Sequence, residues 1–233
     1  MIEKPINIYA DGQVLLINKP LHWTSFDVVK RIRKMANVKK VGHAGTLDPL
    51  ATGLLIICTG KFTRRLNEFM SSEKEYEGEF TLGATTASYD LETELENLKD
   101  SSSVTPEEIY EATKKYTGET WQIPPVYSAI KKSGKRAYQR VRNGEEIKLD
   151  PRKIFIKQFE ITGIDLPIVH FRVVCAAGVY IRSLAHDMGA RLGCGAYLNR
   201  LCRTRIGEFL LSESLTIEEA ENEIAEKLRD QKG

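Results

Sequence analysis

The chain has 233 residues, 42% of them hydrophobic and 28% charged, with a formal net charge of +2 and a mean hydropathy of −0.31. That length suits one large domain with a real core; no apolar run reaches the ~18 residues of a membrane span, and MIEKPINIYADGQ lacks the basic start and apolar stretch of a secretion signal. Four cysteines, at 58, 175, 194 and 202, form no CxxC pair and suit neither a disulfide framework nor a zinc site, so a soluble cytoplasmic protein without metal is expected.

Residues 13–18 (QVLLIN) read as a strand that Lys19-Pro20 ends. Ser25 is placed to cap a helix whose apolar positions, Val28, Val29, Ile32, Met35 and Ala36, fall at helical spacing. Residues 54–58 (LLIIC) read as a short strand buried on both faces, with Cys58 a small core residue, and residues 64–70 as helical. Residues 74–82 alternate, with Tyr76, Phe80 and Leu82 on the apolar side and Glu75, Glu77, Glu79 and Thr81 on the other. Residues 83–103 are polar and irregular and read as a loop. Thr105-Pro106-Glu107-Glu108 is a capping box with proline at the first helical position, opening a helix that Gly118 stops.

Residues 122–150 are basic, aromatic-bearing and punctuated by Gly and Pro, with helical promise only at 137–142. So long an irregular segment inside a compact domain points to function or disorder. Strands follow at 153–162 and 168–176, the second turning Val169, Phe171, Val173 and Cys175 inward. Beyond Gly178 a helix carries Ile181, Leu184, Ala185, Met188 and Leu192 on one face and ends at Gly193. Residues 196–209 read as a further strand region, and Thr216-x-x-Glu219 caps a last helix. Helices and strands mix without strict β-α-β alternation, which predicts an α+β fold with a mixed, mostly antiparallel sheet flanked by helices and loops.

The small net charge hides a segregation. Residues 19–40 carry seven Lys and Arg against one acid, residues 131–153 nine against three, and residues 182–205 five against one. Thirteen of the acids lie between residues 73 and 119. Such polarity suits a surface that meets a polyanion on one side.

The stretch GHAGTLDPLATGLL, residues 42–55, combines a histidine, a carboxylate and three glycines with an apolar run. Gly42 and Gly45 permit positive φ or a close backbone approach, and Asp48-Pro49 holds the aspartate extended. By residue type alone, Asp48 is either an Asx-turn residue bonding its own backbone or a rigidly presented reactive carboxylate. Arg182, in the first turn of its helix, opposes the helix dipole by a few tenths of a kcal/mol. A buried carboxylate would compensate it and be kept ionised in return. Tyr76 and Tyr180 read equally as core aromatics with a polar tip, and His43 as a turn residue or one that stacks on a nucleobase.

Four segments taken together are more telling: GHAGTLDPLATGLL, YEGEFTLGATTASYD, PPVYSAIKKSGKRAYQRVRNGE and AAGVYIRSLAHDMGARLGCGAYLNRLCRTRIGEF. In this order and spacing they closely resemble the TruB family of tRNA pseudouridine synthases, over about residues 19–209. The resemblance implies the pseudouridine-synthase fold and isomerisation of the uridine at position 55 in the T loop of tRNA, with no redox cofactor, nucleotide or metal. Asp48 matches the family's catalytic aspartate and Arg182 the arginine that pairs with it. Tyr76 matches the tyrosine that stacks on the target uracil and is implicated in removing its C5 proton. Tyr180 and Leu201 match residues lining the uridine pocket, and Asp90 a carboxylate near it. His43 matches the histidine that pushes into the T loop and helps flip the base. Lys19-Pro20 resembles the KP motif supporting the catalytic loop, and residues 124–150 the insertion that closes over the T loop. The basic blocks at 30–40, 131–153 and 200–205 should then hold T-arm phosphates.

The expected organisation is a single catalytic domain over residues 1–233, monomeric, with the tRNA T stem-loop as its partner. Only 24 residues follow Phe209, too few for the C-terminal PUA domain of many family members. The alternatives are an RNA-guided or other-RNA pseudouridine synthase, or a non-catalytic tRNA-binding or folding module on the same fold.

Overall fold

The computed structural model describes residues 7–128, 130–132 and 134–231. They form two compact units: residues 7–76 with 202–231, and residues 77–201.

The first unit opens with a single helical turn, α1 (Ile8–Asp11), and strand β1 (Val14–Lys19). Helix α2 (Ser25–Met35) follows, then β2 (Val41–His43) and β3 (Ala51–Thr59). A 3-10 turn over Gly60–Arg65 runs into α3 (Leu66–Ser71), and β4 (Lys74–Leu82) begins in this unit and continues into the second. The cap of α2 is Thr24, which accepts the Asp27 N–H while the Asp27 carboxylate takes the Thr24 N–H, a complete capping box. Ser25, the expected cap, is the first helical residue, and its hydroxyl is turned elsewhere. His43 lies on a strand that the glycine-rich pattern hid: β2 pairs antiparallel with β3, His43 opposite Ile57.

The second unit starts with β4 and a small hairpin, β5 (Thr85–Thr86) and β6 (Leu95–Glu96), inside the stretch expected to be loop. Helix α4 (Pro106–Lys114) has the expected Thr105–Glu108 capping box. It is followed by β7 (Gly118–Gln122), a strand too polar to read from sequence. The backbone of β8 (Lys131–Lys132) pairs with β9 (Lys135–Arg136), and α5 (Ala137–Arg142) follows. Within the insertion expected at 124–150, Ala129 and Ser133 lie outside the described residues, as do the side chains of Lys131, Lys132, Lys135, Arg136, Tyr138 and Arg142. Long strands β10 (Arg152–Asp165) and β11 (Ile168–Cys175), helix α6 (Ile181–Leu192) and strand β12 (Ala196–Ile206) complete this part. The chain then returns to the first unit through β13 (Phe209–Leu210) and α7 (Ile217–Asp230), whose Thr216–Glu219 cap is as expected.

In the first unit β3 lies between β1 and β12, with β2 on β3 and β13 on β12. In the second the order is β12, β4, β11, β10, β7. The ladders β1–β3, β2–β3, β12–β13, β10–β11 and β10–β7 are antiparallel. Strand β3 is buried on both faces, as LLIIC predicts. Leu55 and Ile57 join Val28, Val29 and Ile32 of α2 and Ala220 and Ile224 of α7, while Leu54, Ile56 and Cys58 pack with Phe69 and Ile206. In the second unit the inward residues of β11 are fully buried, and Phe171 packs against Phe80 and Phe159 at 5.9 Å each. Helix α4 packs on α6 and β10.

Candidate active site

The loop between β2 and β3 carries Asp48, and buried groups of the first unit hold its main chain at several points. Gly45 has φ +87, a conformation glycine adopts without strain, and its carbonyl accepts a hydrogen bond from Arg203 Nη2 at 3.1 Å. Arg203 Nε donates to the Leu54 carbonyl at 2.8 Å, so one guanidinium on β12 ties both ends of the loop. The Ser25 hydroxyl accepts the Leu47 N–H at 2.8 Å and donates to the Leu47 carbonyl at 3.1 Å. The Asp48 carbonyl accepts the Ala51 N–H at 3.1 Å, closing a turn around Pro49. The Pro49 carbonyl takes the His22 N–H at 2.8 Å and lies 3.5 Å from Lys19 Nζ. Asp48 is neither buried nor fully exposed. The result is a half-exposed carboxylate on a main chain that has little freedom to move.

Lys19 is fully buried at the end of β1. Its ammonium donates to the carbonyls of Pro20 at 2.9 Å and Trp23 at 2.6 Å. Burial pulls its pKa down to about 8, opposed by the negative charge of Asp48 and reinforced by Arg203. The KP pair thus braces the turn bearing Asp48. His43 is half-buried with its Nδ1 unpartnered. Burial, then Arg203, lower its pKa, while the Gly45 backbone acts in the opposite sense. Burial and Arg203 both favour the neutral imidazole. Tyr76 sits on the inward side of β4 and is 9% exposed.

In the second unit Arg182 occupies the first turn of α6, as expected, and is 3% exposed. Its Nε lies 3.5 Å from Asp90 Oδ2; its Nη1 and Nη2 donate to the carbonyls of Ser88 at 2.8 Å and Tyr127 at 2.9 Å. Asp90, 4% exposed, is thus a buried carboxylate beside Arg182 within this unit. Tyr180 is the N-cap residue of α6. The buried Gln122 amide bonds both its N–H, at 2.8 Å, and its carbonyl, at 3.0 Å, and the Arg152 guanidinium lies 4.8 Å from its ring centre. Leu201 is buried on β12. The expected residues therefore gather as Lys19, Pro20, His43, Asp48 and Tyr76 in one unit and Asp90, Tyr180, Arg182 and Leu201 in the other.

The sequence does not single out Gln122, and it suggests other roles for Ser25 and Arg203, a helix cap and a phosphate contact. Arg203 is not part of a phosphate-binding block at 200–205, for it is 1% exposed and its guanidinium donates to main-chain carbonyls. Its signal was parity: it stands two residues after Leu201, on the same inward side of β12. Arg205 is ion-paired with Glu73 at 2.9 Å and with Glu75, which leaves Arg200, held at 3.2 Å by Glu79, as the exposed cation of that block. Among the described residues no group of three or more His, Cys, Asp and Glu side chains is placed to hold a metal ion, and no helix is long and apolar enough to cross a membrane.

The fold is that of the pseudouridine synthases. The solved structure of a Cbf5-Nop10-Gar1 complex superposes with a TM-score of 0.71 at 31% identity, over 93% of this chain and 55% of that one. The model of the N-terminal domain of TruB family pseudouridylate synthases matches residues 33–181, and that of the tRNA pseudouridylate synthase B C-terminal domain matches residues 182–232. The chain belongs to the TruB family. The tRNA pseudouridine synthase B of Flavobacterium johnsoniae is 49% identical over 216 residues, covering 90% of this chain and 94% of that protein. That of Parabacteroides distasonis is 47% identical over 220 residues, covering 92% and 94%.

Proposed function

We propose that this protein isomerises uridine to pseudouridine in tRNA, at position 55 of the T loop, in the cytoplasm and with the T stem-loop as the recognised element. The observation that carries the reading is the half-exposed Asp48 on a loop braced by Lys19, Ser25 and Arg203. Rigid presentation of one carboxylate is what attack on a sugar carbon requires. The family match and the near-full-length likeness to curated tRNA pseudouridine synthases B support it.

In the reaction the C1′–N1 bond breaks, the uracil turns, and a C1′–C5 bond forms. The C5 proton leaves to solvent and N1 gains one. Asp48 acts at the sugar, either as a nucleophile on C1′, in the manner of a retaining glycosidase, or as a base on C2′–H. Tyr76 stacks on the uracil and serves C5 deprotonation, while Tyr180, Leu201 and Asp90 shape the uridine site. On this reading Arg182 belongs to the catalytic set, a role that rests on the match of VYIRSLAHD to the family. His43 fills the space of the flipped base, which offsets the few kcal/mol of unstacking.

Release of tritium from C5-labelled uridine in tRNA tests the activity. Wild-type protein releases it; Asp48→Asn lowers the rate by at least about 10³-fold, the scale set by loss of a covalent catalyst, while tRNA binding is retained. Full release by Asp48→Asn would sink the assignment. Likeness to Cbf5 in a complex with Nop10 and Gar1 makes a partner-dependent synthase the second reading. Turnover of an isolated T stem-loop by the purified chain excludes it.

A further inference from the structure

We infer that Ser25 is a positioning residue for the Asp48 carboxylate, a role that rests on Asp48 being the catalyst as proposed above. Ser25 is 2% exposed at the first position of α2. Helix capping does not account for it, because Thr24 and Asp27 complete the capping box without it. Inside a helix, serine is a weaker former than alanine, and its hydroxyl competes with the backbone. Here that hydroxyl turns away from its own helix. It takes the N–H of Leu47 at 2.8 Å and gives its proton to the carbonyl of the same residue at 3.1 Å.

This pair of bonds fixes both peptide planes flanking Leu47. The second of those planes is the peptide joining Leu47 to Asp48, so its orientation sets the direction in which the Asp48 side chain leaves the main chain. The anchor does not move: α2 is seated in the core by Val28, Val29 and Ile32, at 0%, 3% and 0% exposure. The Leu47 side chain is itself buried, at 4%. On the far side of Asp48, the turn to Ala51 and the bonds on Pro49 complete the hold. Ser25 therefore acts on the rate through geometry and touches no substrate. A displacement of about 1 Å at a reacting group costs on the order of 100-fold.

Ser25→Ala leaves both main-chain groups of Leu47 without their buried partner. Single-turnover rates with saturating protein and C5-tritiated tRNA should fall by about 10- to 100-fold, while the Kd for tRNA stays within about twofold. Ser25→Thr keeps the hydroxyl and should restore most of the rate. Thr24→Ala, which removes the neighbouring cap, controls for a general loss of helix stability and should leave the rate unchanged. Ser25→Cys, close in size but a weak donor, replaces Ser25→Ala if that variant does not fold. A wild-type rate in Ser25→Ala or Ser25→Cys overturns the proposal, as does an equal loss in Thr24→Ala. Asp48→Asn runs in parallel: if it stays active the catalytic assignment fails, whereas a dead Asp48→Asn beside a fully active Ser25→Ala defeats only the role of Ser25.

Discussion

Lys19 is the residue whose chemistry the sequence could least convey. A lysine at a strand end reads as solvated, yet its ammonium is buried beneath three carbonyls, with a pKa near 8. Desolvation is the main cause; Asp48 and Asp27 resist it and Arg203 adds to it. Two opposite pH effects follow. Between pH 8 and the ordinary lysine value of 10.5 the folded protein has released this proton and the unfolded chain has not. The unfolded state then binds more protons, so the contribution of Lys19 to stability rises with pH, on the order of 3 kcal/mol across the whole window. Turnover moves the other way, because loss of the ammonium's charge weakens its hold on the Pro20, Trp23 and Pro49 carbonyls and removes a cation from the neighbourhood of Asp48. The kcat profile should show an alkaline limb with an apparent pKa near 8. Lys19→Met should be slower at pH 7 and flat from pH 7 to 9.5, and denaturant titrations of the two proteins should diverge above pH 8. An unchanged limb in Lys19→Met would assign it to another group. Asp48, Tyr76, Arg182 and the Lys19-Pro20 pair could be picked out by family resemblance, but two groups that hold the Asp48 loop could not. Ser25 and Arg203 act through main-chain carbonyls and N–H groups, which leave no mark on side-chain pattern.

At the scale of elements, strong periodicity was legible and close approach was not. The helices α2, α4, α6 and α7 and strands β4, β10 and β11 announce themselves by apolar spacing and capping boxes. Strands β2 and β7 do not, because one is Val-Gly-His and the other Gly-Glu-Thr-Trp-Gln, and both are held by ladder bonds to longer neighbours. Strand β3 shows what spacing misses. Gly53 lies within it at φ +102, and a Cβ there would stand 2.4 Å from the Arg203 carbonyl oxygen. The glycine lets β12 approach, which in turn delivers the Arg203 guanidinium to the carbonyls of Gly45 and Leu54. Gly53→Ala combines backbone strain with overpacking and should cost about 3 kcal/mol or more in urea denaturation. Any folded fraction should turn over slowly, since the Asp48 loop loses the same arginine. A stability within about 0.5 kcal/mol of wild type, the range of ordinary surface changes, would mean that β3 and β12 can separate there.

For the whole molecule the question is which of the segregated charges meet RNA. Counting residues gives a basic block at 19–40, but the structure divides it. Lys19 is buried and Arg31 is ion-paired with Glu221, whereas Lys30, Lys34, Lys39 and Lys40 are exposed. Those four run from the outer side of α2 to the residues just before β2, the strand that ends in His43. Phosphate neutralisation releases counterions, so log K falls linearly with log salt, by about 0.7 to 0.9 per contact. Replacing all four lysines with glutamine should weaken tRNA binding and flatten that slope by about 3. Because none of them touches the reacting uridine, kcat at saturating tRNA should hold while KM rises with salt less steeply than in wild type. Arg205→Gln, by contrast, breaks ion pairs with Glu73 and Glu75 inside the protein and should leave the slope alone. If the fourfold variant keeps the wild-type slope, the tRNA phosphates are held elsewhere, and the basic insertion at 124–150 becomes the segment to neutralise next.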